Sequence, residues 1–211
     1  MRTQESKRRI KMNQNRFSLA GWIAITQAII FPLAIFVAVA QGLIGVAVFG
    51  YHGPSFGPGD MLFMLFIAMW AYTLWMFRVY LNERYDCHDL DFLITAAICV
   101  TVLLQIASFG LQGLAFGLAP IAGSVFIVLN IIFAAFAMFT AGILDILIAV
   151  KLLQMRQTSS DLLKAFAYIT MAVGVLEVTV ILSPLALVLV PVYCVVLGMI
   201  FLGKQEEVQL A

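Results

Sequence analysis

Long apolar stretches alternate with short polar connections along this chain, over about 18–49, 61–80, 92–117, 121–150, 162–183 and 185–203. A helix that crosses about 30 Å of hydrocarbon needs about 20 apolar residues at 1.5 Å each. Each run meets that length. Backbone groups inside lipid must be satisfied within their own segment, so the runs predict helices and an all-α fold. The connections between them are too short to hold a separate soluble domain.

Local breaks divide the runs. Pro32 lies inside the first and predicts a kink, because proline removes one helix hydrogen bond and crowds the preceding turn. The fourth run continues towards Arg156, and Thr158-Ser159-Ser160-Asp161 then breaks it, with Ser160 or Asp161 as the N-cap of the next helix. Pro184 follows Ser183 at a tight turn, so the last two helices should form an antiparallel hairpin. The connection from Gly50 to Asp60 is dense in turn formers.

Charge turns six helices into a topology. All twelve Lys and Arg residues lie at or beyond the ends of the runs, and on alternate connections only. Arg2, Lys7, Arg8, Arg9, Lys11 and Arg16 precede the first run, and Arg78 and Arg84 follow the second. Lys151, Arg156 and Lys164 follow the fourth, and Lys204 follows the last. Basic short loops stay on the cytoplasmic side during insertion, so the chain reads as a polytopic membrane protein of six transmembrane helices, with N-terminus and C-terminus both cytoplasmic. The division is a basic tail over 1–16, a transmembrane domain over 17–203 and a second tail over 204–211. An inner membrane is the expected location. The first run is too long for a cleaved signal, whose apolar core is about 7–15 residues.

Composition agrees: 64% of residues are apolar and 11% charged, against about 25% charged in a soluble domain. The basic tail predicts contact with anionic lipid. No nucleic-acid partner is expected. Cys87, Cys99 and Cys194 have no CxxC arrangement, so neither a disulfide framework nor thiol-oxidising chemistry follows.

Asp145 and Glu177 are the acids inside the runs, and ionisable groups there are functional candidates because they are costly to insert. Asp145 precedes Lys151 by six residues, about 9 Å, which suits an acid near the boundary, satisfied by water, Thr140 or a snorkelling Arg78. Glu177 lies thirteen residues beyond Lys164, about 20 Å deep, with no base at that level. It is expected to hold a proton or a cation, or to pair with another subunit. Gln105, about 21 Å along its run from Asp91, should be level with it. Thr170, Gly174 and Glu177 fall on one helix face, where Gly174 permits close approach of a neighbour. Gln27 and Thr26 lie near mid-depth of the first run.

Other features carry less. The connector from Asn82 to Asp91 contains Cys87, His88 and four acids, but adjacent Cys and His lack zinc-ligand spacing, so no metal site is expected. His52 reads as a surface loop residue, Trp22, Trp70 and Trp75 as anchors, with Trp22 and Trp75 near the inner ends of their spans, and Gly113 with Gly117 as a GxxxG helix contact. No histidine lies in a run and no nucleophile has a base, so neither an enzyme nor a cofactor is expected. Two functions remain: a transporter or channel-like protein for protons, cations or a small neutral solute, acting through Glu177, Gln105, Asp145 and Thr170, or an accessory, assembly or sensory subunit of a larger membrane complex. A homo-oligomer or a membrane-protein partner accompanies either.

Overall fold

A computed structural model describes residues 2–49, 57–155 and 160–203, and within these the side chains of 15–44, 57–111, 114, 125, 128–129, 131–155 and 160–203. The sequence-level features at Gly50–Phe56, His52, Gly113 with Gly117, Arg156–Ser159 and Lys204–Ala211, and the side chains of the basic tail up to position 14, lie outside them.

Every regular element among the described residues is a helix: α1 Arg2–Phe49, α2 Pro58–Tyr85, α3 Asp91–Gln154, α4 Asp161–Val178 and α5 Ser183–Leu202. The basic tail continues directly into α1, which runs on through Pro32. The third and fourth apolar runs belong to one helical element of 64 residues. Straight, it would be about 96 Å long, yet Gln105 and Asp145 line the same cavity. The axis therefore doubles back between two apolar arms, Asp91–Leu111 and Ile131–Gln154. These arms, with α1, α2 and α5, supply five segments long and apolar enough to cross a membrane. Expected as a span over 162–183, α4 stops at Val178 after 18 residues. That is about 27 Å, and Asp161, Lys164 and Glu177 dilute its apolar character.

Chain neighbours are space neighbours. Contacts join α1 to α2, α2 to α3, α3 to α4 and α4 to α5, and α1 to α5 closes the ring. Apolar side chains such as Phe36, Phe92 and Val188 face outwards, as lipid-facing groups do. Lipid tails are as apolar as leucine, so helix pairing there depends on close packing of small residues. Two glycine pairs provide it. A Cβ on Gly198 would fall 3.0 Å from Gly21 O, and one on Gly174 would fall 2.7 Å from Gly142 O.

The ends of the bundle differ. At one, Phe17 of α1 stacks on Phe201 of α5 at 6.3 Å and meets Tyr80 of α2 edge-on at 5.5 Å. The Phe17 region of α1, the end of α5 and the α2–α3 connection thus share one end. Phe77, Leu81, Leu90, Ile94, Leu152 and Leu163 fill it. At the opposite end Gly59 lies against Ala38, and α2 starts with Pro58 in its first turn and the Asp60 carboxylate accepting from Gly57 N at 2.9 Å. The α4–α5 turn, Thr179–Leu182, is also there, with Val180 in the left-handed region at φ 49°, an uncommon conformation for a β-branched residue. Pro184 then begins α5, giving the tight hairpin that the sequence implies.

Candidate functional site

A ring of helical segments leaves its centre open. That space is a cavity of about 500 Å³, reached by α1, α2, both arms of α3, α4 and α5. Its lining begins at Asp60 of α2 and Ser183 of α5 and extends to Trp70, Ala97, Asp145 and Tyr193. Along α2 and α5 that is ten residues, about 15 Å. Below it, Tyr193 packs on Phe166 at 4.8 Å and Phe166 on Phe77 at 5.0 Å, so an aromatic stack closes the floor. The cavity is thus a pocket that begins at the α1–α2 end and stops short of the α2–α3 end.

Both intramembrane acids line it. Gly142 faces the stretch from Gly174 to Val178, and Gly174 faces the stretch from Gly142 to Ile146. The second arm of α3 and α4 are therefore antiparallel, and Asp145 falls opposite about position 173, roughly 6 Å along the axis from Glu177. Asp145 lies within electrostatic reach of Glu177, and Tyr193 within reach of both. Glu177 Oε2 is buried without a hydrogen-bond partner among the described residues. Among the described residues no lysine, arginine or histidine lines the cavity.

The sequence placed these two acids at separate depths and assigned them separate roles. Depth was counted along each helix from its own boundary, and α4 ends five residues early, leaving Glu177 in its final turn. A signal was nonetheless present. Gly142-Ile-Leu-Asp145 and Gly174-Val-Leu-Glu177 are the same pattern, an acid three residues after the glycine of a crossing. Two such segments, packed antiparallel through their glycines, put one acid on each side of the crossing.

Gln105 lines the cavity, with Thr101 and Ser108 at helical spacing on the same arm. Thr170 does not. Its side chain is 1% exposed and its hydroxyl donates to Phe166 O of its own helix at 2.8 Å, which removes it from the site and makes it a packing residue. Gln27 has another use: it is fully buried and its Oε1 accepts from Thr73 on α2 at 3.3 Å. Gly174 makes the close approach that its place on the Glu177 face implies.

Arg78 is committed elsewhere, so it does not reach Asp145. Its Nε donates to Asp91 Oδ1 at 2.6 Å and its terminal nitrogen to Thr95 at 3.2 Å. Asn82 donates to the same carboxylate oxygen at 2.9 Å, and His88 Nδ1 lies 3.2 Å from the other oxygen. The connector's polar residues thus converge on Asp91 at the start of α3. Among the described residues no three His, Cys, Asp or Glu groups cluster as metal ligands would.

No family model, curated protein or solved structure matches this chain.

Proposed function

We propose that the protein is a multi-pass inner-membrane transporter or channel-like protein for protons, cations or a small neutral solute. The observation that carries this reading is the cavity into which Asp145 and Glu177 converge from two helices, with no base among the described residues of its walls. Buried acids without counter-charges are costly, and a site that takes up a proton or a cation offsets that cost when loaded. Gln105, Thr101, Ser108 and Tyr193 supply further polar contacts from other segments.

In this reading α4 serves as the sixth crossing, its short length offset by its place between the second arm of α3 and α5. The end holding the α2–α3 connection, Phe17 and Phe201 faces the cytoplasm, as the alternation of Lys and Arg supports. The cavity then begins on the opposite side, and the Phe77, Phe166 and Tyr193 stack is the barrier that transport must open.

Proton and cation flux into proteoliposomes, compared between the wild-type protein and Glu177→Gln, tests the reading. Flux in the wild type that the substitution abolishes, with the fold intact, supports it. Folded wild-type protein that passes neither protons nor cations overturns it and favours an accessory subunit.

A further inference from the structure

The cavity wall is more specific than its two acids. Phe31 of α1 lies 4.8 Å from Phe66 of α2, and Phe66 lies 6.0 Å from Phe63, so three rings form a continuous surface on the α1–α2 side. Trp70, one helical turn beyond Phe66, extends that surface to the floor. Across from it stand Asp145 and Glu177. A space bounded by aromatic faces on one side and carboxyl groups on the other has a definite chemical preference.

An anion would meet two acids and no base. A bare metal ion needs several oxygen ligands at about 2.0–2.6 Å, whereas these walls are largely apolar and aromatic. A neutral solute would make no use of the paired acids. A positive charge carried on an apolar body satisfies both surfaces, since ring faces attract cations and carboxylates neutralise them. At about 500 Å³ the space falls among pockets of about 300–1,000 Å³ that hold drug-sized molecules.

We propose that this cavity binds an amphipathic organic monocation, its charge held between Asp145 and Glu177 and its apolar body against Phe31, Phe63, Phe66 and Trp70. The proposal names the ligand class for the site of the transport reading, and it rests on that reading only for the ligand's movement. Asp60 at the mouth is engaged by Gly57 N, and Tyr193 is the remaining titratable group facing the pair.

The test is equilibrium binding of tetraphenylphosphonium to the full-length protein in detergent micelles, with protein-free micelles as the blank. Tetraphenylborate, of the same shape and opposite charge, is the control. Wild-type protein is expected to hold the cation at least tenfold more tightly than the anion. Glu177→Gln and Asp145→Asn should each weaken the cation about tenfold, which is about 1.4 kcal/mol, and Trp70→Leu should weaken it without restoring the anion. Equal binding of the two ions to the wild type overturns the proposal whether or not any variant folds. So does cation binding that both folded acid variants retain in full. Flux and binding separate the two claims: cation binding without any flux leaves the proposal standing and removes transport, while Glu177-dependent proton flux without cation binding does the reverse.

Discussion

Gly142 and Gly174 each occupy the space a side chain on the other would need: a Cβ on Gly142 would fall 2.6 Å from Gly174 O, and one on Gly174 would fall 2.7 Å from Gly142 O. Both obstacles are backbone and cannot rotate away. Three residues beyond each glycine stands an acid, so this contact also sets how far apart Asp145 and Glu177 are.

Adding one methyl group at the crossing should therefore force α3 and α4 apart. Gly174→Ala is expected to destabilise the protein by about 1–3 kcal/mol through overpacking, despite alanine's better helix propensity of about 1 kcal/mol. Gly110→Ala is the comparison, because no atom within 4 Å meets a Cβ there. It should be neutral or stabilising. Thermal melts in detergent read both, and a Gly174→Ala melt at or above the wild-type value would mean the crossing is looser than this geometry.

Arg78 secures the α2–α3 connection as a fork, with one nitrogen on Asp91 and another on Thr95. Lysine carries the same charge but cannot reproduce two directed bonds from one planar group. Arg78→Lys should cost about 1–2 kcal/mol, in the range for hydrogen bonds to charged groups. Asp91→Asn should cost a similar amount, and the double variant less than the sum of the two. Additive losses in thermal melts would show that the pair does not act as a unit.

Gln27 is buried with its Nε2 lacking a partner among the described residues, while the Thr73 hydroxyl proton is shared between Gln27 Oε1 and Trp70 O. A leucine there removes the orphaned donor and leaves Thr73 its backbone acceptor. Gln27→Leu is thus expected to keep or raise stability, by up to about 1 kcal/mol. A loss of stability would mean that the amide is fully bonded, and unchanged stability with lost flux would give Gln27 a role in the pathway.

Orientation is open to labelling. Cys87 is partly exposed in the α2–α3 connector, whereas Cys194 is buried. With Cys99→Ser and Cys194→Ala removing the other thiols, a membrane-impermeant maleimide should label Cys87 only after the cells are permeabilised. Labelling in intact cells would invert the proposed topology.

Helix formation and apolar length were legible in the sequence because each depends on local pattern. An apolar run in lipid closes its own hydrogen bonds, and Lys and Arg mark its ends. Phe17, Tyr80 and Phe201, each close to a polar end of its apolar run, meet at one end of the bundle. The tight turn before Pro184 follows from the same kind of local chemistry.

Tertiary structure decided the rest. Apolarity on every side of a membrane helix does not say which side meets a neighbour, because lipid satisfies all sides equally; packing of small residues makes that choice. It is the glycine crossing that brings Asp145 to Glu177, and the closed ring that lets both, with Gln105, share one cavity. Thr170 shares a helical face with Glu177 yet bonds its own backbone, and Arg78 turns to Asp91, its near neighbour across the connector. Counting residues inward from a boundary measures depth along one helix; only the packing shows which helix stands opposite.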